Sequence, residues 1–146
     1  ERDAAQLWEL RRSHPLCAAL ANAISKESTG VKNVDILEEA QRVTIGLGGG
    51  QATFCKSGKD RTAMGVTLQQ SRILGEGHGC GTSPQRILRD ANTMRATGTR
   101  IEVANKNIGY YKYSFNPLQV SFMPEMYRPP PQTVQDFTTS MIKRDS

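Results

Sequence analysis

Ala52-Thr53-Phe54-Cys55-Lys56-Ser57-Gly58-Lys59-Asp60-Arg61-Thr62 is the stretch on which the reading of this chain turns. A short apolar run, Ala52 to Phe54, has the look of a strand end, and a helical pattern begins at Asp60. Between them stands a cysteine followed six residues later by an arginine and a threonine. A loop that leads from a strand into a helix N-terminus turns backbone N–H groups inward and makes an anion cradle, reinforced by the positive end of the helix dipole. A cysteine thiol at such a place loses its proton more easily, because helix N-termini and nearby cations favour the thiolate. A thiolate at the floor of an anion cradle is the nucleophile expected of phosphoryl transfer through a phosphocysteine.

Each residue type in the loop has a chemical reason to be there. Cys55 is the expected nucleophile. Arg61 carries the planar fork that clamps two oxygens of a phosphoryl group, which lysine cannot do bidentately. Ser57 and Gly58 permit a tight bend that brings the backbone close to phosphate. Thr62 is placed to donate a hydroxyl hydrogen bond to the sulfur and ease its departure when the intermediate is hydrolysed. Lys56 and Lys59 exceed what a single phosphate needs and suit a substrate with several phosphates. Asp60 is the candidate general acid for the leaving alkoxide, with the alternative that it only orients Arg61.

Cys55 to Thr62, read CKSGKDRT, resembles the active-site loop of the inositol polyphosphate 4-phosphatases, whose usual form has alanine at the position of Gly58. With glycine there, the loop is also similar to that of secreted bacterial inositol phosphate phosphatases of the effector type. A lysine pair recurs in phosphoinositide 3-phosphatases, so the pair implies an inositol phosphate substrate. Downstream, Thr62 to Gln70, Gly98 to Glu102, Lys106 to Gly109, Lys112 to Asn116, Leu118-Gln119 and Tyr127 to Pro130 resemble the C-terminal catalytic part of the eukaryotic 4-phosphatases. The likeness runs from about residue 51 to about residue 130.

The resemblance implies a cysteine-dependent phosphatase that removes the 4-phosphate of phosphatidylinositol 3,4-bisphosphate, and of soluble inositol phosphates with a matching pattern. It implies no cofactor and no metal, because cradle amides and cations stabilise the transferring phosphoryl group. The expected place is the cytoplasm, peripherally on endosomal or plasma membrane. Rival readings are a broader inositol phosphate phosphatase of the bacterial type, a phosphoinositide-binding fragment without turnover, and a protein phosphatase, which the lysine pair disfavours.

The 146 residues allow one modest domain, and 37% hydrophobic with 23% charged residues is ordinary for a folded chain. No apolar run approaches the ~20 residues needed to cross a bilayer. The opening Glu1, without an initiator methionine or a leader pattern, is expected of a piece of a longer polypeptide; the 4-phosphatases are much longer and carry a lipid-binding domain near their N-terminus. A net charge of +5 fits anionic phosphates or an anionic membrane. The basic residues are scattered rather than striped with aromatics, which speaks against nucleic acid. Three cysteines, Cys17, Cys55 and Cys80, do not pair evenly and suit a reducing compartment.

The expected fold class is α/β: a helix-rich, cysteine-phosphatase-like core with a strand-loop-helix phosphate cradle. Residues 1–131 form the C-terminal part of a catalytic domain, and residues 132–146 a loosely packed tail. Helices are expected over 2–12, from a Ser13 cap through Ile24, over 34–42 with Ile36 and Leu37 inward, over 60–74, after Ser83-Pro84, and after Asn116. Gly46 to Gly50 reads as a connector, since its glycines precede the apolar run rather than follow it. Gly75 to Thr82 holds only one histidine and one cysteine, short of a zinc set, and reads as a loop. Arg86, Arg89 and Arg95 are expected on a solvated face, with a secondary phosphate or membrane contact as the alternative. Gly109 to Phe115 reads as packing aromatics, and Pro129 to Pro131 as an extended segment.

Overall fold

A computed structural model of the chain describes residues 14–30 and 33–136. The expected helix over 2–12 and most of the expected tail over 132–146 lie outside those residues. The regular structure among the described residues is helical, with no strand. The chain divides after Ala52 into two compact units.

The first unit holds α1, Pro15–Ser25, and α2, Asp35–Gly46. His14 rather than Ser13 caps α1: its Nδ1 accepts from the Leu16 N–H at 3.3 Å, and Pro15 takes the first position, where no N–H is needed. Asn33 joins the two helices, accepting from the Asp35 N–H and donating to the Ala23 carbonyl at 2.7 Å. Leu37, expected inward, is 53% exposed, and Gln41 is the buried residue of α2.

The second unit carries the Cys55 loop and is built around α3, Asp60–His78. α4, Pro84–Thr97, packs along α3, and α5, Thr99–Ile108, turns back against α4. A short α6, Pro117–Ser121, and single 3-10 turns at Glu125–Tyr127 and Pro131–Thr133 complete the unit. Ser83 and Asn116 cap α4 and α6 through their side chains, as the sequence leads one to expect, and Gln119 closes a capping box on Asn116.

Glycines explain two departures from expectation. α3 runs on past Leu74 because Gly75 has no side chain to obstruct the returning loop: a Cβ there would lie 2.6 Å from the Gly81 carbonyl. Gly98 separates α4 from α5 at a corner so tight that a Cβ would lie 2.5 Å from the Met94 carbonyl. The stretch after that corner alternates charged and apolar residues, yet it winds as α5 with Ile101 and Ala104 buried.

The α/β expectation is overturned. Residues 51–55 have no regular structure, and Phe54 is 82% exposed. Three apolar residues are a short strand at best, and an extended segment without a hydrogen-bonded neighbour has nothing to hold it as one. The loop is therefore coil into helix.

At the centre of the second unit lies Arg95, fully buried and not on a solvated face. A guanidinium has five N–H donors, and burying it is tolerable only when they are satisfied. Nε donates to Thr67 Oγ1 at 3.0 Å, Nη1 to Asn92 Oδ1 and the Arg128 carbonyl, both at 2.9 Å, and Nη2 to the Met64 carbonyl at 3.0 Å and the Met126 carbonyl at 2.8 Å. Burial pushes the guanidinium down to about 10, against the opposing pull of the Tyr113 and Tyr127 hydroxyls, so it stays charged at neutral pH. α3, α4 and the turns after α6 are thus gathered on one side chain. Arg86 instead pairs with Asp90 at 2.7 Å, and Arg89 is exposed.

Arg95→Met fills similar volume but strips several buried acceptors of their donor, at about 1–3 kcal/mol each and not fully additive. Urea unfolding should show a loss of about 3 kcal/mol or more, whereas Arg89→Met stays within about 0.5 kcal/mol.

Candidate active site

The loop begins at Cys55 with a tight turn, the Gly58 N–H donating to the Cys55 carbonyl at 3.1 Å. Gly58 takes φ +65°, the left-handed region, with open space where a Cβ would point. This is the local reason for glycine here: an alanine would fit sterically but would be strained in its backbone. Lys59 is the N-cap of α3, its carbonyl accepting the first helical bond from the Ala63 N–H at 2.9 Å.

Cys55 is partly buried. The Thr62 hydroxyl donates to its Sγ at 3.3 Å, and the nearby backbone N–H groups of Thr62, Ser57 and Gly58 also favour the ionised sulfur. Burial pushes the thiol up, but these hydrogen bonds together outweigh it and bring the thiol from an ordinary 9.0 down to about 6. Cys55 is thus mostly thiolate at neutral pH. Since the folded value lies below the unfolded one, the ionised sulfur stabilises the fold fully above pH 9.0, and that contribution is lost as the pH falls through about 6.

The remaining loop residues are distributed around this centre. Lys56, Ser57 and Arg61 are exposed, Lys59 and Asp60 are partly buried, and Thr62 is buried. The Asp60 carboxylate, on the first residue of α3, accepts the Ser114 N–H at 2.9 Å. The structure therefore brings Cys55, Ser57, Gly58 and Thr62 together, and leaves Lys56 and Arg61 projecting to solvent.

Two residues outside the loop also act on it. Arg100, in the first turn of α5, donates through Nη2 to the carbonyls of Gly58 at 2.8 Å and Lys59 at 3.3 Å. Ser114 supplies the N–H that holds Asp60. In the sequence both stand only among positions that resemble the family; the available signal was Gly98, a helix break with an arginine two residues on. The aromatic run divides here: Tyr113 and Phe115 are buried, Tyr110 and Tyr111 exposed. Burial pushes the Tyr113 hydroxyl up to about 12, and it donates to the Arg95 carbonyl at 2.9 Å.

A cysteine held as thiolate by the first turn of a helix, in an otherwise helical unit, is the arrangement to compare with known proteins. Residues 13–127 match the family model described as the INPP4A C-terminal domain, and the chain belongs to that family. It is 40% identical over 124 residues to human inositol polyphosphate 4-phosphatase type II, covering 84% of this chain and 13% of that protein. It is 43% identical over 102 residues to the rat type II inositol 3,4-bisphosphate 4-phosphatase, 70% of this chain and 11% of that one. Over 92 residues it is 33% identical to the human phosphatidylinositol 3,4,5-trisphosphate-dependent Rac exchanger 2 protein, 63% of this chain and 5% of that protein. The chain thus spans a small part of the length of these relatives. No solved structure matches.

Two outcomes test the loop. Alkylation of Cys55 by iodoacetamide, followed on its own peptide by mass spectrometry, should rise with a midpoint near pH 6, and in Thr62→Val the midpoint should move up by about one unit. Gly58→Ala should cost about 1–2 kcal/mol at the loop and raise the same midpoint, because a left-handed backbone is strained for alanine.

Proposed function

We propose that this chain carries the catalytic loop of a phosphoinositide phosphatase that removes the 4-phosphate of phosphatidylinositol 3,4-bisphosphate and of related soluble inositol phosphates. The observation that carries the reading is the Thr62 hydroxyl donating to the Cys55 sulfur at the start of a helix, in a loop whose N–H groups also favour the thiolate. Family membership and the 40% identity to a 4-phosphatase support the choice of substrate.

The thiolate attacks phosphorus as the bond to the inositol oxygen breaks. That oxygen takes a proton, for which Asp60 is the candidate donor, and the phosphoryl group stays on sulfur as phosphocysteine. Water then attacks phosphorus, inorganic phosphate leaves, and the electron pair returns to sulfur, a departure the Thr62 hydroxyl assists. Arg61, exposed in the first turn of α3, is free to swing onto the equatorial oxygens, and Lys56 and Lys59 take the other phosphates of the ring. The loop amides and these cations stabilise the charge that builds at phosphorus, so the scheme calls for no metal. On this reading the chain works peripherally at the cytoplasmic face of an endosomal or plasma membrane, consistent with its net charge of +5. No helix among the described residues is long and apolar enough to cross a membrane.

A second reading, a phosphoinositide-binding module without turnover, is favoured by one observation. Over 92 residues the chain is 33% identical to a protein named for Rac exchange rather than for phosphate removal.

Phosphate release from vesicles separates the two. Release from phosphatidylinositol 3,4-bisphosphate, and not from the 3-phosphate or 4,5-bisphosphate lipids, is expected, with none from Cys55→Ser. Equal release from several isomers means a broader phosphatase; binding without release means the module. Lys56→Met should raise KM about tenfold with kcat little changed, the mark of lost uniform binding. Asp60→Asn should lose far more rate on an inositol phosphate than on p-nitrophenyl phosphate, whose leaving group needs no proton.

A further inference from the structure

The Cys55 loop has no strand beneath it, yet a tight turn with a glycine at φ +65° keeps a defined shape only if something fixes its peptide planes. Hydrogen bonds within the loop account for part of this: the Gly58 N–H to the Cys55 carbonyl and the Ala63 N–H to the Lys59 carbonyl. The carbonyl of Gly58 is met from outside by Arg100, whose Nη2 lies 2.8 Å from it and 3.3 Å from the Lys59 carbonyl. In a trans peptide the C=O and the following N–H point in opposite directions. A guanidinium that draws these two carbonyls to its own side therefore turns the N–H groups of Lys59 and Asp60 to the other. Arg100 Nε is buried without a hydrogen-bond partner among the described residues, so the two carbonyls are its principal polar engagement. Gly98 sets its place, because the corner that no Cβ allows delivers Arg100 to the loop within two residues.

We propose that Arg100 is a positioning residue for the Cys55 loop, holding the Gly58 and Lys59 carbonyls on the loop's outer side so that its N–H groups face the anion site. This deepens the phosphatase reading and rests on it. Arg100 acts through backbone and does not touch the reacting atoms. It is distinct from Arg61, which sits on the loop itself and is exposed.

The test compares Arg100→Gln and Arg100→Lys with the wild-type 146-residue chain. The first reading is the pH midpoint of Cys55 alkylation by iodoacetamide, which needs no turnover. The second is phosphate release from phosphatidylinositol 3,4-bisphosphate vesicles. Glutamine cannot span both carbonyls, so its midpoint should rise by one unit or more, about a tenfold loss of thiolate well below the wild-type midpoint. kcat should fall about tenfold or more with KM little changed. Lysine, with a donor of similar reach but no fork, should restore part of both. A glutamine variant whose alkylation midpoint equals that of the wild type overturns the proposal. Should glutamine abolish the helical circular dichroism, lysine decides: a rise of about half a unit supports the proposal, and an unchanged midpoint overturns it. If the wild type is alkylated near pH 6 but releases no phosphate, the phosphatase reading fails while the positioning role is still decided by the midpoints.

Discussion

The second unit depends on burying one guanidinium without a carboxylate beside it. Arg95 is satisfied by backbone carbonyls and neutral side chains, and those acceptors come from three separate parts of the chain. An ion pair would need one partner in one place; a fork of five donors needs several, in fixed directions. Its demand therefore sets the spacing of α3, α4 and the turn that contains Met126. The demand also reaches the candidate site by a short route. Met64, whose carbonyl accepts from Arg95, lies two residues from Thr62, which donates to Cys55. Tyr113 donates to the Arg95 carbonyl, and the next residue, Ser114, holds Asp60.

This accounts for how the Cys55 loop keeps its turn without a sheet. In the expected architecture, a strand would fix the entry to the loop. Here the entry is coil, with Phe54 in solvent, and the constraint arrives from the other side. α3 supplies the amide and hydroxyl of Thr62, α5 supplies Arg100, and the segment after α5 supplies the Ser114 N–H. Backbone groups of the loop are thus held by side chains and backbone remote in sequence. Such contacts leave no periodic signature.

That difference explains what could be read from the sequence. The helix starts at Pro84 and Pro117 were legible because a cap and a proline act within four residues. The strand was inferred from context: three apolar residues before a cysteine were read through the fold that such loops usually occupy. Arg95 was read as solvated because arginine usually is, and no local feature marks an arginine whose acceptors lie about thirty residues away on either side. Leu37 failed for a related reason, since periodicity names a face but not whether a neighbour covers it. Gly75 read as the start of a loop, yet it lies inside a helix under a returning loop, and only the packing shows it.

The hydrogen-bonded sulfur has a consequence outside phosphoryl chemistry. A thiolate that is only partly buried reacts with peroxide, and the first product is a sulfenic acid. Oxidised, Cys55 can no longer act as a nucleophile. A resting chain in an oxidising solution therefore loses the reactivity of this loop, while the hydrogen bonds of Arg95 that gather α3 and α4 involve no sulfur. Reductant would return the sulfenic form to thiolate, and further oxidation to sulfinic acid would not be reversed that way. The feature that arms the loop thus also ties its working state to the redox conditions around it.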